Sequence, residues 1–182
     1  MRIVAGTLRG RPLASTAAAT RPTADRVRQA LFDMLRHADW AEDALDGGVL
    51  DAFAGTGALG LEALSRGAAR AVFLERDRTA LDCVKTNVAA CRMDAQSLVI
   101  GCDATRAPAA RVGWGAAALV FLDPPYGQSL VVPALAALQM AGWVAPGALI
   151  VAEVSAEEPA PTDAPLLAER RHGAARLCFW RA

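Results

Sequence analysis

From about Gly47 onward, short apolar runs alternate with longer amphipathic segments. The apolar runs predict strands at Val49–Ala54, Ala71–Glu75, Ser97–Ile100, Ala118–Asp123 and Ala148–Val154, and the intervening segments predict helices over Ala58–Arg66, Arg78–Cys91 and Leu130–Met140. Continuous apolar strands that alternate with helices are typical of a parallel sheet covered on both faces. The pattern therefore predicts an α/β fold.

The last part of the chain predicts a hairpin. Leu166–Arg171 and Ala174–Arg181 flank a turn at His172-Gly173, which places one antiparallel strand in an otherwise parallel sheet. The chain has 182 residues, of which 54% are hydrophobic, and this is enough for one substantial core. We expect a single domain over residues 1–182, with an N-terminal extension at 1–45 and a catalytic body at 46–182.

The N-terminal extension predicts a hairpin followed by a helix. Arg2–Ala5 can pair with Arg9–Leu13, and Thr23 can cap a helix over Ala24–Arg36. The whole chain has a net charge of zero, but residues 1–36 contain seven arginines and only two aspartates. A local excess of positive charge is typical of surfaces that contact nucleic-acid phosphates.

Other features exclude several functional classes. The four cysteines lack CxxC spacing and there are only two histidines, so no metal site is expected. Prolines and glycines divide the uncharged run Pro124–Ala152 into pieces too short for a membrane span. Residues 1–24 lack acids, as transit peptides do, but turn signals such as Gly6 and Pro12 interrupt any amphipathic helix. We expect a cytoplasmic protein with reduced thiols and no membrane partner.

The end of the first predicted strand carries residues suited to ligand binding, because ligands of open α/β sheets bind beyond the carboxyl ends of strands. Here the sequence DAFAGTGALG begins at Asp51, and its glycines let the backbone approach a ligand closely. Its Gly-x-Gly-x-x-Gly spacing also occurs in dinucleotide-binding proteins. Asp51 favours S-adenosylmethionine over NAD, because a carboxylate attracts the sulfonium and ammonium groups but repels a pyrophosphate.

Acidic residues also follow the second and third predicted strands. Glu75 can accept hydrogen bonds from both ribose hydroxyls of a cofactor, which would suit NAD as well as S-adenosylmethionine. Asp103 can accept a hydrogen bond from the adenine amino group, with the backbone of Ala104 alongside. An isolated aspartate after a strand is also a common turn residue.

The fourth predicted strand ends in Asp123-Pro124-Pro125-Tyr126, the most specific feature of the chain. Prolines have no N–H group, so this segment offers an acidic side chain and free carbonyls. The Asp123 carboxylate and the Pro124 carbonyl can hold both hydrogens of an exocyclic amine, and Tyr126 can stack on the base. Alone, the segment could equally be a proline-rich turn with a core tyrosine. After the glycine loop, it favours catalysis.

These motifs resemble the class I amino-methyltransferases of nucleic acids, through DAFAGTGALG, the acid in FLERD, and LDPPYG. The chain is similar in particular to bacterial 16S ribosomal RNA guanine-N2 methyltransferases of the RsmD type, because RIVAGTLRGRPL and RPTADRVRQALFDML also fit. The resemblance covers most of the chain and is weakest over Glu157–Pro165. It implies a Rossmann-like, seven-stranded sheet with one antiparallel strand, S-adenosylmethionine as methyl donor, and action on the small ribosomal subunit.

The resemblance also implies roles for individual residues. Asp123, Pro124, Pro125 and Tyr126 would hold the target amine. The cofactor would be bound by Asp51, Phe53, Gly55, Thr56, Gly57, Glu75, Arg76, Asp103 and Ala104. The 16S rRNA, within an assembled or assembling subunit, would be contacted by Arg9, Arg11, Arg21, Thr23 and Arg26. Each of these arginines could equally be a solvated surface residue, and Thr23 could be only a helix cap.

Three other functions are compatible with parts of the pattern. A DNA adenine-N6 methyltransferase would use the same tetrapeptide, but it usually needs a target-recognition segment for which 182 residues leave no room. A non-catalytic RNA-binding assembly factor would not need an intact Asp123. A nicotinamide-dependent oxidoreductase is disfavoured by Asp51 and by the lack of an evident acid or base for hydride transfer.

Overall fold

A single mixed sheet forms the centre of the protein. The computed structural model describes residues 1–15 and 22–182, with side chains from residue 25 onward in the second range. Within these residues, the strands are β1 Gly48–Asp51, β2 Arg70–Glu75, β3 Ser97–Gly101, β4 Ala117–Leu122, β5 Val144–Ser155, β6 Ala168–His172 and β7 Ala175–Arg181. Their order is β3-β2-β1-β4-β5-β7-β6, and β7 runs antiparallel to both of its neighbours. The predicted seven-stranded sheet with one antiparallel strand is confirmed.

Helices cover both faces of the sheet. Those among the described residues are α1 Pro22–His37, α2 Ala58–Ser65, α3 Arg78–Cys91 and α4 Val131–Met140. The first three pack on one face, in a core that includes Phe32, Leu61, Val84 and Phe121. Helix α4 packs on the other face, against a core that includes Trp143. No helix in the described part of the chain is long and apolar enough to cross a membrane.

Most element boundaries lie within one or two residues of the prediction, but two differ in an informative way. Strand β5 begins at Val144 instead of Ala148, because a register shift against β4 lets it continue through Pro146-Gly147. Helix α1 begins at Pro22, a residue type favoured in the first helical turn because its missing N–H costs nothing there. Thr23 therefore lies inside that turn, and its predicted role as the cap of a helix over Ala24–Arg36 is wrong.

Residues 1–15, which we call the arm, form the predicted hairpin-like pairing. An antiparallel bridge joins Arg2 to Pro12. The backbone N–H of Ile3 donates to the Arg11 carbonyl at 2.9 Å. Ile3 and Leu13 are buried in the same core as α1, α2 and α3. The arm is therefore packed into the core on this face of the sheet.

A buried carboxylate fastens the arm to α2. Glu62 is fully buried and accepts hydrogen bonds from the backbone N–H groups of Val4 at 2.8 Å and Ala5 at 2.9 Å. Its charge is balanced by Arg66 at 2.8 Å and Arg28 at 3.5 Å. Arg28 is itself buried. This one of the seven N-terminal arginines therefore neutralises a buried carboxylate and does not add to the positive charge of the surface.

Candidate active site

Three carboxylates come together at the carboxyl end of the sheet. Asp51 ends β1, and its register partner on β4 is Phe121, which in turn pairs with Val151 on β5. Asp123 and Glu153 each follow two residues later, so they occupy equivalent positions at the ends of neighbouring strands. Because side chains alternate along a strand, all three acids project toward the face covered by α1 and α2. They line one cavity there.

This cavity has a volume of about 420 Å³, which is within the range of small-molecule sites. One wall is the loop after β1, including Phe53 and Gly55. Tyr126 from the loop after β4 lines the same cavity. Leu31 of α1 and His172 at the end of β6 close the remaining sides. The predicted cofactor loop and the predicted acceptor loop therefore line the same space.

Asp51 is the buried acid of this cavity, with 1% of its surface exposed. One carboxylate oxygen accepts a hydrogen bond from the backbone N–H of Gly60 at 3.1 Å. Burial raises the pKa of Asp51 to about 7, the Gly60 N–H acts in the opposite direction, and the Glu75 carboxylate adds to the rise. A carboxyl group in this state has an unmet preference for a nearby cation.

The glycine loop owes its shape to three positions. Gly55 and Gly57 have φ values of 56° and 76°, a left-handed conformation that side-chain-bearing residues rarely adopt. At Gly60, a Cβ atom would lie 2.3 Å from the ring of Phe73 on β2. The absence of a side chain at Gly60 therefore lets α2 lie directly against the sheet. The packing of α2 on β2 explains why the motif has a glycine at this third position.

Glu75 holds the glycine loop in place. Its two carboxylate oxygens accept hydrogen bonds from the backbone N–H groups of Gly55 and Asp77, both at 2.8 Å. Each carboxylate oxygen can accept more than one hydrogen bond. Glu75 therefore retains capacity for the ribose hydroxyls predicted as its ligands.

Asp103 performs the turn role that was the alternative prediction for this residue. Its Oδ1 atom accepts from the backbone N–H and the hydroxyl of Thr105, at 2.9 and 2.8 Å, and these bonds lower its pKa. Its Oδ2 atom lies 3.7 Å from Arg76, and Ala104 beside it is buried. The predicted contacts of Asp103 and Ala104 with adenine, and of Arg76 with the cofactor, remain predictions.

The predicted cofactor residues fall into two groups. One group lines the cavity together with Asp123 and Tyr126, namely Asp51, Phe53, Gly55 and Thr56. The other group lies outside the cavity wall, in the glycine loop and at the ends of β2 and β3, namely Gly57, Glu75, Arg76, Asp103 and Ala104. A ligand that used both groups would extend from the cavity across the ends of β1, β2 and β3.

The loop after β4 presents Tyr126 between two cavities. Tyr126 has 49% of its surface exposed, and its hydroxyl donates a hydrogen bond to Glu153 Oε1. Behind it lies a second cavity of about 130 Å³, to which Pro124 and Pro125 contribute. The backbone N–H of Gly127 donates to a Glu158 carboxylate oxygen at 2.9 Å. These contacts fix the end of the loop.

Asp123 faces the main cavity. Its pKa is raised, first because the cavity walls remove part of its hydration and then because the carboxylates of Glu153 and Asp51 lie nearby. The residue is still exposed to solvent within the cavity, which moderates the first of these effects. Asp123 therefore has a stronger preference for a proton or a hydrogen-bond donor than an ordinary surface aspartate.

Glu153 is a site residue that the sequence prediction missed. It lies on β5, lines both cavities and contacts Tyr126. Its signal in the sequence was weak but present, since it is the single charged residue in the apolar run Ala148–Val154. A charge in such a strand carries a desolvation cost that only a partner or a function offsets.

The predicted RNA-binding residues differ in their contacts, and the structure does not describe all of them. Arg9 and Arg26 are exposed to solvent. Arg11 is also exposed, and its guanidinium donates to the Ala90 carbonyl of α3 at 3.0 Å. Arg21 lies outside the described residues, as does the side chain of Thr23. Contacts of these residues with RNA remain predictions.

Comparison with known proteins shows that one family model matches nearly the whole chain. Residues 1–181 match the family model described as Conserved hypothetical protein 95. The chain is 34% identical over 180 residues to Ribosomal RNA small subunit methyltransferase D of Haemophilus influenzae, covering 95% of this chain and 89% of that protein. It is 38% identical over 163 residues to the protein of the same name in Escherichia coli K12, covering 89% and 78%.

Solved structures share the fold. The structure of yhhF from Escherichia coli, described as a methyltransferase, has a TM-score of 0.81 and 34% identity, and covers 100% of this chain and 97% of that one. An RNA methyltransferase from Salinibacter ruber, in complex with S-adenosyl-L-homocysteine, has a TM-score of 0.59 at 18% identity, covering 84% and 90%. The second likeness concerns the fold alone. Together they confirm the Rossmann-like fold class.

Proposed function

The chain belongs to the RsmD family, whose model is described as Conserved hypothetical protein 95, and on this premise we propose that it is an S-adenosylmethionine-dependent methyltransferase of ribosomal RNA. The observation that carries the proposal is the shared cavity. The loop that begins at Asp51 and the loop that begins at Asp123 line the same space, as a methyl donor and an amine acceptor require.

The residues present fit S-adenosylmethionine. Asp51 is buried with a raised pKa, and a cationic ligand would stabilise its ionised form. Gly55 and Gly57 allow the backbone to approach the methionyl part, and Glu75 has hydrogen-bonding capacity for the ribose. When bound, S-adenosylmethionine supplies an electrophilic methyl group on a positively charged sulfur. A dinucleotide would place its pyrophosphate against the Asp51 carboxylate.

The acceptor side holds and activates an amine. An exocyclic amine is a weak nucleophile because its lone pair is delocalised into the ring. The Asp123 carboxylate and the Pro124 carbonyl accept its two hydrogens and turn the nitrogen toward the methyl group. As the nitrogen–carbon bond forms and the carbon–sulfur bond breaks, the amine loses a proton. Asp123, whose pKa is raised, is placed to receive that proton.

We further propose that the target is the N2 amine of a guanine in 16S rRNA, within an assembled or assembling small subunit. The relatives named for methylation of small-subunit ribosomal RNA support the choice of RNA. The arm presents exposed arginines at positions 9 and 11 on a molecule without net charge, which suits docking on a particle through local contacts.

Transfer of tritium from S-adenosylmethionine tests this function. The purified protein is incubated with small subunits, or with free 16S rRNA, from a strain that lacks the corresponding enzyme, and the RNA is then digested to nucleosides. We expect label in N2-methylguanosine from subunits and little from free RNA. Particles from the parent strain, already methylated, are the control. Label in N6-methyladenosine, or no incorporation in any substrate, would contradict the proposal.

A further inference from the structure

Glu153 lines the main cavity together with Asp123, but it has no role in the mechanism proposed above. It is half-buried at the carboxyl end of β5 and lines the main cavity beside Asp123. Because Leu122 pairs with Ala152, Asp123, the first residue after β4, is the neighbour of Glu153 on the adjacent parallel strand β5. The two carboxylates therefore lie side by side, as two acceptors facing the same ligand.

Two neighbouring acceptors match the edge of guanine and no other amino-bearing base. Guanine presents the N2 amine next to the N1–H group, so these two neighbouring positions are both hydrogen-bond donors. Adenine and cytosine present their amine next to a ring nitrogen that is itself an acceptor. A carboxylate opposite that nitrogen would leave two lone pairs facing each other, with both groups desolvated and unpaired.

We propose that Glu153 accepts a hydrogen bond from guanine N1–H and thereby selects guanine as the methylated base. This inference rests on the proposed function, because it assumes that Asp123 holds the neighbouring amine. Glu153 would act as a specificity-determining residue, and its contact would be present before methyl transfer as well as during it.

Tyr126 prepares Glu153 for this contact. Its hydroxyl donates to Glu153 Oε1, which fixes the orientation of the carboxylate. The other oxygen, Oε2, is then available for the base. The tyrosine thus has two functions, since its ring borders the cavity in which the base is expected to stack.

Two substitutions test whether Glu153 recognises the base or only supports Tyr126. Glu153→Gln keeps the size of the side chain but removes the charge, and we expect kcat/KM on small subunits to fall about 10- to 100-fold. Tyr126→Phe removes only the hydroxyl, leaves the Glu153 carboxylate in the cavity, and should cost less than about 10-fold. Glu157→Gln, at an exposed acid outside both cavities, is the control and should match the wild type.

A modified substrate tests the assignment to N1. 2-Aminopurine keeps the exocyclic amine of guanine but has an acceptor in place of N1–H. Small subunits are reconstituted with 2-aminopurine at the methylated position, after nucleoside analysis of the wild-type reaction has identified it. The wild-type enzyme should prefer guanine by at least about 100-fold. Glu153→Gln, whose amide can donate to the ring nitrogen, should reduce this preference to less than about 10-fold.

The outcomes distinguish the two proposals. If the wild-type enzyme methylates no guanine, the proposed function fails before Glu153 is examined. If guanine is methylated but Glu153→Gln and Tyr126→Phe lose activity equally and both keep the preference over 2-aminopurine, Glu153 only supports the tyrosine and the inference is overturned. Calorimetry with S-adenosylmethionine should give unchanged affinity for both variants, which separates loss of recognition from loss of folding.

Discussion

At the scale of single residues, Asp51 affects stability and binding in opposite ways. Burial of its ionised carboxylate lowers the stability of the folded protein, but this ionised form is the one that attracts a cationic cofactor. Its pKa is about 7 in the folded protein and near 3.8 when exposed, so the folded state binds the proton more tightly. The contribution of this group to the free energy of unfolding is complete below about pH 4. It is lost progressively as the pH rises to 7 and is constant above that.

Asp51→Asn should remove this pH dependence. We expect the variant to be more stable than the wild type at pH 8 by up to about 4 kcal/mol, with the difference shrinking toward pH 4. Urea unfolding at several pH values measures it. The same variant should bind S-adenosylmethionine more weakly, and wild-type affinity should itself decline as the pH falls below 7. Equal stability of the two proteins across this range would contradict the burial argument.

Asp123 and Tyr126 should affect turnover without affecting the cofactor. Asp123→Asn removes the proton acceptor, and we expect kcat to fall about 100- to 10,000-fold. Tyr126→Ala removes the stacking surface and should mainly raise KM for the RNA substrate. In calorimetry, both variants should bind S-adenosylmethionine within about twofold of the wild type. If either variant methylated RNA with the wild-type kcat/KM, the acceptor site would lie elsewhere.

The sequence predicted those residues of the cavity that belong to contiguous motifs. Asp51, Gly55, Asp123 and Tyr126 could be identified because each lies at the end of a predicted strand, where the topology brings ligand-binding residues together. Glu153 could not, because its significance comes from the register between β4 and β5. That register depends on tertiary pairing and not on any local pattern.

At the scale of elements, one amide joins the arm to the glycine loop. Asn87 is a buried residue of α3, and its Oδ1 atom accepts from the backbone N–H of Ala14 at 2.7 Å. Its Nδ2 atom donates to the carbonyls of Ala14 and Thr56, at 3.0 and 2.8 Å. The arm, α3 and the cofactor loop are thus held by the same side chain.

Asn87→Ala should loosen both partners at once. It leaves the carbonyl of the buried Thr56 and the N–H of Ala14 without their partner, and we expect a loss of about 1–3 kcal/mol in the free energy of unfolding. Affinity for S-adenosylmethionine should fall measurably in calorimetry, although Asn87 does not line the cavity. Thr86→Ala, at the exposed neighbouring position, is the control and should change neither quantity. A destabilised variant with unchanged cofactor affinity would show that the loop holds its shape without Asn87.

The elements themselves were largely predictable, since the sequence pattern gave α3 with the observed ends and five of the seven described strands with both ends within two residues. Thr23 and the start of β5 were mispredicted for different reasons. A capping residue type does not fix a helix start when a proline one position earlier can enter the first turn. The extension of β5 through Pro146-Gly147 depends on a bulge against β4, which no local pattern encodes.

At the scale of the whole molecule, the net charge is zero. Any electrostatic attraction to RNA therefore depends on where the charged residues lie. If the extension docks on RNA, its exposed arginines should set the salt dependence of binding. We expect Arg9→Gln and Arg26→Gln each to reduce the slope of log affinity against log salt by about 1, with melting temperature unchanged. Arg111→Gln is the control, because Arg111 is an exposed arginine next to Ala110, which packs on the opposite face of the sheet, the one that α4 covers. A lower melting temperature with an unaltered slope would indicate a packing role instead.

The place of β7 in the sheet has a consequence for the order in which the protein can be made. Strands β5 and β6 are synthesised first, yet β7 lies between them. Until Leu177–Trp180 has left the ribosome, the apolar strand Leu149–Val154 therefore has one edge with no partner. Open apolar edges are templates for association between chains. The nascent protein thus passes through an aggregation-prone stage, and chains interrupted before β7 should accumulate as insoluble material.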